Sequence, residues 1–430
     1  MFESVTLSKA GCLKGELRPP PDKSISHRAV FISSIANGTS YVKNFLSARD
    51  PEATLNAFKA LGVDITERKN ELVIVGRDLK GLKEPADVID CMNSGTTMRL
   101  LLGVLSGCSF FSVLTGDSSL RNRPMARVTQ PLRLMKAEFM GREDGRYPPI
   151  AVKGGKLTGI TYKMPISSAQ VKSSLLLAGL NAEGRTTVIE SVKSRDHTER
   201  MLKTFGANIS VDGLRIKIDG TNKLTGSEIT VPGDISSAAF FLAGAALVAG
   251  SEVVVKSVGL NKTRTGFLDA LNNMGANAAV HIDGDHRDEP QGDICVKYID
   301  GLKAITLGRS DIPALIDEFP ILCVLGLRAH GVTEVRGAEE LRVKESDRIK
   351  AMVGELRKMG AVIEEYPDGV AIEGPQELHG AAVESHGDHR IAMALSIASL
   401  IAKGQTIISG ISSVEISYPG FFENLRRLIV

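Results

Sequence analysis

The stretch PPPDKSISHRAVFISSIA, residues 19–36, stiffens the chain with three prolines and then sets a lysine, serines, a histidine and an arginine at the head of an apolar run. The design returns five times, as NSGTTMRLLLGVLSG (93–107), SSAQVKSSLLLAGL (167–180), GDISSAAFFLAGAAL (233–247), DIPALIDEFPILCVLGL (311–327) and GDHRIAMALSIASL (387–400). Each copy opens small, polar or charged and runs into Ala, Leu, Ile and Gly. The copies begin roughly 70 to 80 residues apart, a period that marks an internal repeat. Capping residues at the starts and apolar character around the whole circumference predict six buried helices.

The rest of each unit recurs as well. A Gly and a β-rich stretch follow the buried helix, as in GTSYVKNFL (38–46), GRTTVIESV (184–192), GSEVVVKSVGL (250–260), GVTEVRGAEEL (331–341) and GQTIISGI (404–411). Amphipathic segments such as ATLNAFKALGVDIT (53–66), ERMLKTFGANISV (199–211), FLDALNNMGANAAV (267–280) and IKAMVGELRKMGAVIEE (349–365) then place Gly62, Gly206, Gly275 and Gly360 where a left-handed C-cap is wanted. The unit is β-α-β-α-β-β, an α/β (α+β) design with one helix buried and one facing solvent. Six units make two sets of three. One domain is expected at 21–228 and a second from 1–20 together with 229–430. The chain would cross twice, near 19–22 and near 226–234, which favours two rigid bodies that hinge.

Composition narrows the function. Hydrophobic residues at 43% and charged residues at 24% are ordinary for a globular protein, and a net charge of +2 gives no bulk electrostatic case for nucleic acid or a membrane surface. Five cysteines with no CxxC pairing argue for a reducing compartment and against a disulfide frame or zinc site. The N-terminal residues lack the apolar core of a signal peptide, and apolar runs elsewhere are interrupted before they could span a bilayer. A cytoplasmic location is expected.

The polar helix starts carry the chemistry. Ser24, Asn93, Ser167 and Ser168 read singly as N-caps. Cations there need another account, because a helix N-terminus already carries partial positive charge that Lys23, Arg28, Arg99 and Arg390 oppose. A cation and a helix N-terminus together hold an anion. Arg121 and Arg123 in GDSSLRNRPM, Arg195 beside Asp196 and His197, and Lys344, Glu345, Asp347 and Arg348 in LRVKESDRI point the same way. The last group also reads as a solvated salt-bridged helix face.

In order and spacing, DKSISHRA, NSGTTMRLL, GDSSLRNRPM, SSAQVKSSLLLAG, IDEFPIL, LRVKESDRI and GDHRIAMA closely resemble the signature segments of the 5-enolpyruvylshikimate-3-phosphate synthase family, in the form of its second, largely bacterial class. The resemblance runs from about residue 10 to YPGFFENL near the C-terminus. It implies the two-domain enolpyruvyl transferase fold with an active site in a closing cleft. The implied reaction moves the enolpyruvyl group of phosphoenolpyruvate to the 5-hydroxyl of shikimate 3-phosphate, through a tetrahedral intermediate that expels phosphate. No metal or organic cofactor is implied, and a monomer is.

Carried over position by position, the resemblance makes Lys23 a phosphoenolpyruvate contact that assists proton transfer and also touches shikimate 3-phosphate. Ser24, Arg28, Ser167, Ser168, Ala169 (through its backbone), Gln170, Arg195 and Lys344 become shikimate 3-phosphate ligands. Asn93, Gly95, Arg123, Gln170, Arg348 and Arg390 become phosphoenolpyruvate contacts, with a side chain at Gly95 crowding the ligand. Asp317 is the base near the 5-hydroxyl, which places it on shikimate 3-phosphate, and Glu345 is a proton-transfer acid. Lys23 and Arg123 are expected to face solvent in an open form. Two departures stand out: Pro21 replaces a usual glycine, and EISYPGF offers Ile416 and Ser417 where some members carry a lysine.

Two other readings compete. The sister enzyme acting on a UDP-amino sugar typically carries a reactive Cys in the loop equivalent to GDSSLRNRPM and an Asn after the first lysine, where this chain has Ser118, Ser119 and Ser24. An anion- or RNA-binding repeat scaffold is opposed by zero Trp, 5% aromatic content and the absence of basic patches interleaved with aromatics.

Overall fold

The repeat is visible in the sheets. A computed structural model of the protein describes residues 3–220, 223–283 and 289–430. Helices at Lys23–Ser34, Gly95–Ser106, Ala169–Gly179, Ile235–Leu247, Phe319–Gly326 and His389–Ser399 are the six apolar runs, and nearly all of their residues are buried. Between the strands that flank the second, third, fifth and sixth of these helices the pairing is parallel, and in every unit but the last a closing hairpin adds antiparallel pairs. Ile89–Asp90, for example, runs parallel to Phe111–Thr115 across the Gly95–Ser106 helix. Tyr147–Lys153 then pairs antiparallel with Phe111–Thr115 and with Glu138–Gly141.

Two units borrow their opening strand. Glu228–Thr230 lies parallel to Asn37–Lys43, and Lys14–Leu17 lies parallel to Glu252–Gly259. The chain accordingly divides into two compact units, Pro21–Val231 and Met1–Pro20 with Pro232–Val430, each enclosing its own hydrophobic core. Residue 231 rather than 228 closes the first unit because the Glu228–Thr230 strand completes a sheet there. At the junction within the other unit, the Asp234 amide donates to the Pro20 carbonyl at 2.8 Å. The sixth sheet is shorter: Ala382–Glu384 and Gln405–Ser409 are parallel, and the N-terminal strand Ser4–Ser8 supplies the third member.

The amphipathic helices end as their sequences predict. Gly62, Gly206, Gly275 and Gly360 have φ of +84°, +87°, +96° and +91°. In the second repeat the same place, after the Ala126–Leu134 helix, is held by Lys136 at φ +73°, so the glycine signal was missing from that copy.

The fifth buried helix differs from expectation. DIPALIDEFPILCVLGL forms a short helix Ile312–Leu315, a 3₁₀ turn Ile316–Glu318 and then the Phe319–Gly326 helix. Leu315 leaves helical geometry, with φ −141° and ψ 15°, and Pro320 opens the following helix, where a missing N–H costs nothing. Asp317 thereby sits in an irregular turn at the head of a buried helix.

Candidate active site

The helix caps decide which polar residues are spare. Asp22, Ser94, Ser168, Asp234, Asp347 and Asp388 are the side chains that accept an amide in the first turn of their helices. Ser24 and Asn93 are therefore not caps, whereas Ser168 is. Ser167 also has backbone work: its hydroxyl accepts the Val192 amide at 2.8 Å and donates to the Val192 carbonyl.

Within the Pro21–Val231 unit, one group of side chains gathers around Arg28. Its Nε donates to Thr198 Oγ1 at 2.7 Å, Nη1 to the Ser24 carbonyl at 2.9 Å and Nη2 to Ser173 Oγ at 3.0 Å. Arg195 reaches Ser24 Oγ at 3.5 Å. Lys23 is partly buried and paired with Asp50 at 3.2 Å. A second group surrounds Gly95. Arg123 donates from Nη2 to Asn93 Oδ1 at 2.7 Å and from Nη1 to the Asn93 carbonyl at 3.2 Å, and Asn93 in turn donates to Asp117 at 2.7 Å. Arg99 Nη1 donates to Gln170 Oε1 at 2.6 Å, and Gln170 Nε2 donates to Thr96 Oγ1 at 2.9 Å. A Cβ on Gly95 would stand 2.9 Å from Arg99 Nη1 and 3.5 Å from Arg123 Nη1. The expectation that Arg123 faces solvent is corrected here: it is buried at 7% exposure by its bonds to the Asn93 turn, while Lys23 stays partly exposed.

Burial and the neighbouring Lys23 and Arg28 hold the His27 pKa well below the usual range, so His27 is a neutral structural group, bonded through Nδ1 to Thr54 Oγ1 at 2.7 Å. Thr54 continues to Thr97 at 2.7 Å, and Thr97 to the capping Ser94 at 2.8 Å. The heads of the first two buried helices are joined by this chain of side chains.

In the other unit three carboxylates converge on one buried arginine. Arg348, 1% exposed, donates from Nε to Asp388 Oδ2 at 2.8 Å, from Nη1 to Asp317 Oδ1 at 3.0 Å and from Nη2 to Glu345 Oε2 at 2.8 Å. Burial alone would favour loss of its charge; Asp388, Glu345 and Asp317 outweigh that and raise its pKa above the ordinary arginine value. Arg390 donates to the Asp317 carbonyl at 3.3 Å and stands 3.6 Å from its carboxylate. Lys344 belongs to the same cluster. Burial lowers its pKa, Asp317 resists, Arg348 adds to the lowering, and the result is about 8.

The LRVKESDRI group is thus no solvated face. Its 3₁₀ turn Glu339–Val343 ends before the Arg348–Lys358 helix, and Arg348 points into the cluster. Sequence reading passed over Asp388, two residues before Arg390, and Glu318, which is wholly buried and receives the Ser236 hydroxyl. It also passed over Lys172, Thr198 and Glu190. The available signal for Lys172 was a cation in the second turn of the third buried helix, where the first two carry Arg28 and Arg99. The five cysteines are free; Cys91, Cys108 and Cys323 are core residues whose thiol pKa burial pushes up, while Cys12 and Cys295 are only half-buried.

Six repeats in two sets of three, with cationic and acidic side chains gathered at the heads of buried helices, define an enolpyruvyl transferase fold. The sequence model of EPSP synthase (3-phosphoshikimate 1-carboxyvinyltransferase) matches residues 7–425. The 3-phosphoshikimate 1-carboxyvinyltransferase of Thermodesulfovibrio yellowstonii is 54% identical, over 98% of this chain and 99% of that one. That of Bacillus subtilis is 50% identical over 98% of each. The solved EPSP synthase of Acinetobacter baumannii is 45% identical, with a TM-score of 0.87 over 99% of this chain and 97% of that one. The chain belongs to the EPSP synthase family. These matches do not favour the UDP-amino-sugar enzyme or a mere binding scaffold. No described helix is long and apolar enough to cross a membrane.

Proposed function

We propose that the residues gathered in the two units carry out the family reaction, transfer of the enolpyruvyl group from phosphoenolpyruvate to the 5-hydroxyl of shikimate 3-phosphate. The reaction needs a base for the hydroxyl proton, an acid for the methylene carbon and cations for two phosphates and two carboxylates. Asp317 is the base and Glu345 the acid. The observation that carries this reading is the convergence of both carboxylates on the terminal nitrogens of Arg348. One buried cation keeps the two carboxyl groups at fixed positions, as acid–base chemistry on adjacent atoms requires.

Arg348 has five N–H groups, and the bonds to Asp317, Glu345 and Asp388 leave Nη1 a further N–H for a substrate carboxylate. Arg390, Arg123 and Lys23 join it on phosphoenolpyruvate, and Gln170 assists through its bond to Arg99. Arg28, Arg195, Ser24 and Ser168 serve the phosphate of shikimate 3-phosphate. Ser167, committed to Val192, supports that pocket through the backbone, and Ala169 offers only its amide. Lys344 contacts the shikimate side. In the reaction the 5-oxygen bonds to the central carbon of phosphoenolpyruvate as the methylene gains a proton. A proton then leaves the new methyl group as the carbon–oxygen bond to phosphate breaks. Free thiols throughout suit a reducing, cytoplasmic setting.

Phosphate release from phosphoenolpyruvate, measured with and without shikimate 3-phosphate, tests the reading. Release only with both present, and its loss in Lys23→Ala, is expected. Release that needs a UDP-amino sugar instead would overturn it.

A further inference from the structure

Lys172 is a fully buried lysine that none of the roles above uses. It lies on the Ala169–Gly179 helix, one turn after Ser168 and two residues after Gln170, with 0% exposure. A buried ammonium is costly unless it is paired and hydrogen-bonded. Here Nζ meets Glu199 Oε1 at 2.6 Å and Glu190 Oε2 at 3.1 Å, and donates to the Ser194 carbonyl at 3.3 Å. All three partners lie on one segment, from the end of the Arg185–Ile189 strand into the His197–Thr204 helix. Glu190 closes the segment on itself, its Oε1 accepting the Ser194 amide at 3.1 Å and the Ser194 hydroxyl.

The clamped segment carries the phosphate-reading side chains. Arg195 follows Ser194 directly and reaches Ser24. Thr198, beside Glu199, accepts Arg28 Nε at 2.7 Å and shares a 2.6 Å bond with Ser173, which itself accepts from Arg28 Nη2. One ammonium thus fixes the backbone on both sides of Arg195 and the residue that orients Arg28.

We propose that Lys172, with Glu190, is a positioning residue for shikimate 3-phosphate, holding Arg195 and Arg28 at the spacing its phosphate requires. This rests on the assignment of Arg195 and Arg28 to that phosphate. The tether acts on binding of one substrate and leaves the proton-transfer groups of the other unit untouched.

A double-mutant cycle between Glu190→Gln and Arg195→Ala tests it, read as shikimate 3-phosphate affinity by calorimetry and as KM and kcat at saturating phosphoenolpyruvate. If Glu190 acts through Arg195, Glu190→Gln raises the dissociation constant and KM for shikimate 3-phosphate roughly fivefold in the wild-type background and less than about twofold in Arg195→Ala, the non-additivity expected of coupled residues. The kcat and the KM for phosphoenolpyruvate should stay within about twofold. Should Glu190→Gln not fold, Ser194→Ala, which removes only one hydroxyl, takes its place in the cycle. Equal losses in both backgrounds, or no loss in either, would overturn the inference while leaving the reaction standing. Wild-type protein that binds no shikimate 3-phosphate would overturn the functional reading and the inference together.

Discussion

Replacing Arg348 by methionine removes the cation on which Asp388, Asp317 and Glu345 converge and keeps most of the side-chain volume. The three carboxylates do not suffer equally. Asp317 and Glu345 have side chains 13% and 24% exposed and can recruit water. Asp388 is completely buried and loses its 2.8 Å partner, keeping the Ser346 hydroxyl at 3.2 Å and the Arg390 amide at 2.9 Å. An unpaired buried charge costs ~3–5 kcal/mol when its partner is removed. For a unit of this size that corresponds to a fall in Tm of roughly 6–20 °C, given ~2–4 °C per kcal/mol.

Arg348→Lys restores the charge but not the three-pronged reach, so it recovers part of the stability and little of the turnover. Thermal unfolding of the three proteins, with phosphate release, measures both effects. A loss below about 1 kcal/mol would refute the claim that Arg348 holds the carboxylates in place.

Gly95→Ala places a methyl group 2.9 Å from Arg99 Nη1, so the guanidinium must retreat and its 2.6 Å bond to Gln170 goes with it. The KM for phosphoenolpyruvate should rise about tenfold or more, from a charge-assisted bond worth ~1.5–3 kcal/mol, and more than the KM for shikimate 3-phosphate. The Tm should hold, because Ala suits a helix better than Gly; equal loss for both substrates would speak against the placement. For Lys344, a folded pKa of about 8 lies below the ordinary lysine value. The folded state therefore carries its charge only below about pH 8, and affinity for shikimate 3-phosphate should fall as pH rises through that value. Burying the charge costs stability at and below pH 8, a cost relieved as pH climbs towards the ordinary lysine range. In Lys344→Arg the alkaline limb of kcat/KM should disappear, and its persistence would assign the limb to another group.

The fold was legible because repetition amplifies weak local signals. One run of Ala and Leu could be any buried helix, but six at near-regular spacing, four of them followed by an amphipathic segment ending in Gly, state a unit. Where a copy departed, local reading failed: Lys136 took a glycine's place, and the fifth helix broke at Leu315, just before Asp317. Most of the proposed site residues were legible as residue types at helix heads.

Their division of labour was not, because it depends on partners far apart in the chain. Sequence alone could name Asp22 beside Ser24 or Ser94 beside Asn93, but only the fold shows that Asp22 and Ser94 cap while Ser24 and Asn93 do not. Nor could spacing reveal that Arg348 is held by Asp388, 40 residues on, or that Lys172 is paired at once with Glu190 and Glu199. The order of apolar runs, strands and turns is fixed by local propensity and period, which the sequence carries residue by residue. Which charges are buried, and which carboxylate meets which cation, follows from long-range packing, because the stability of a buried charge depends on what folding brings within about 3 Å of it.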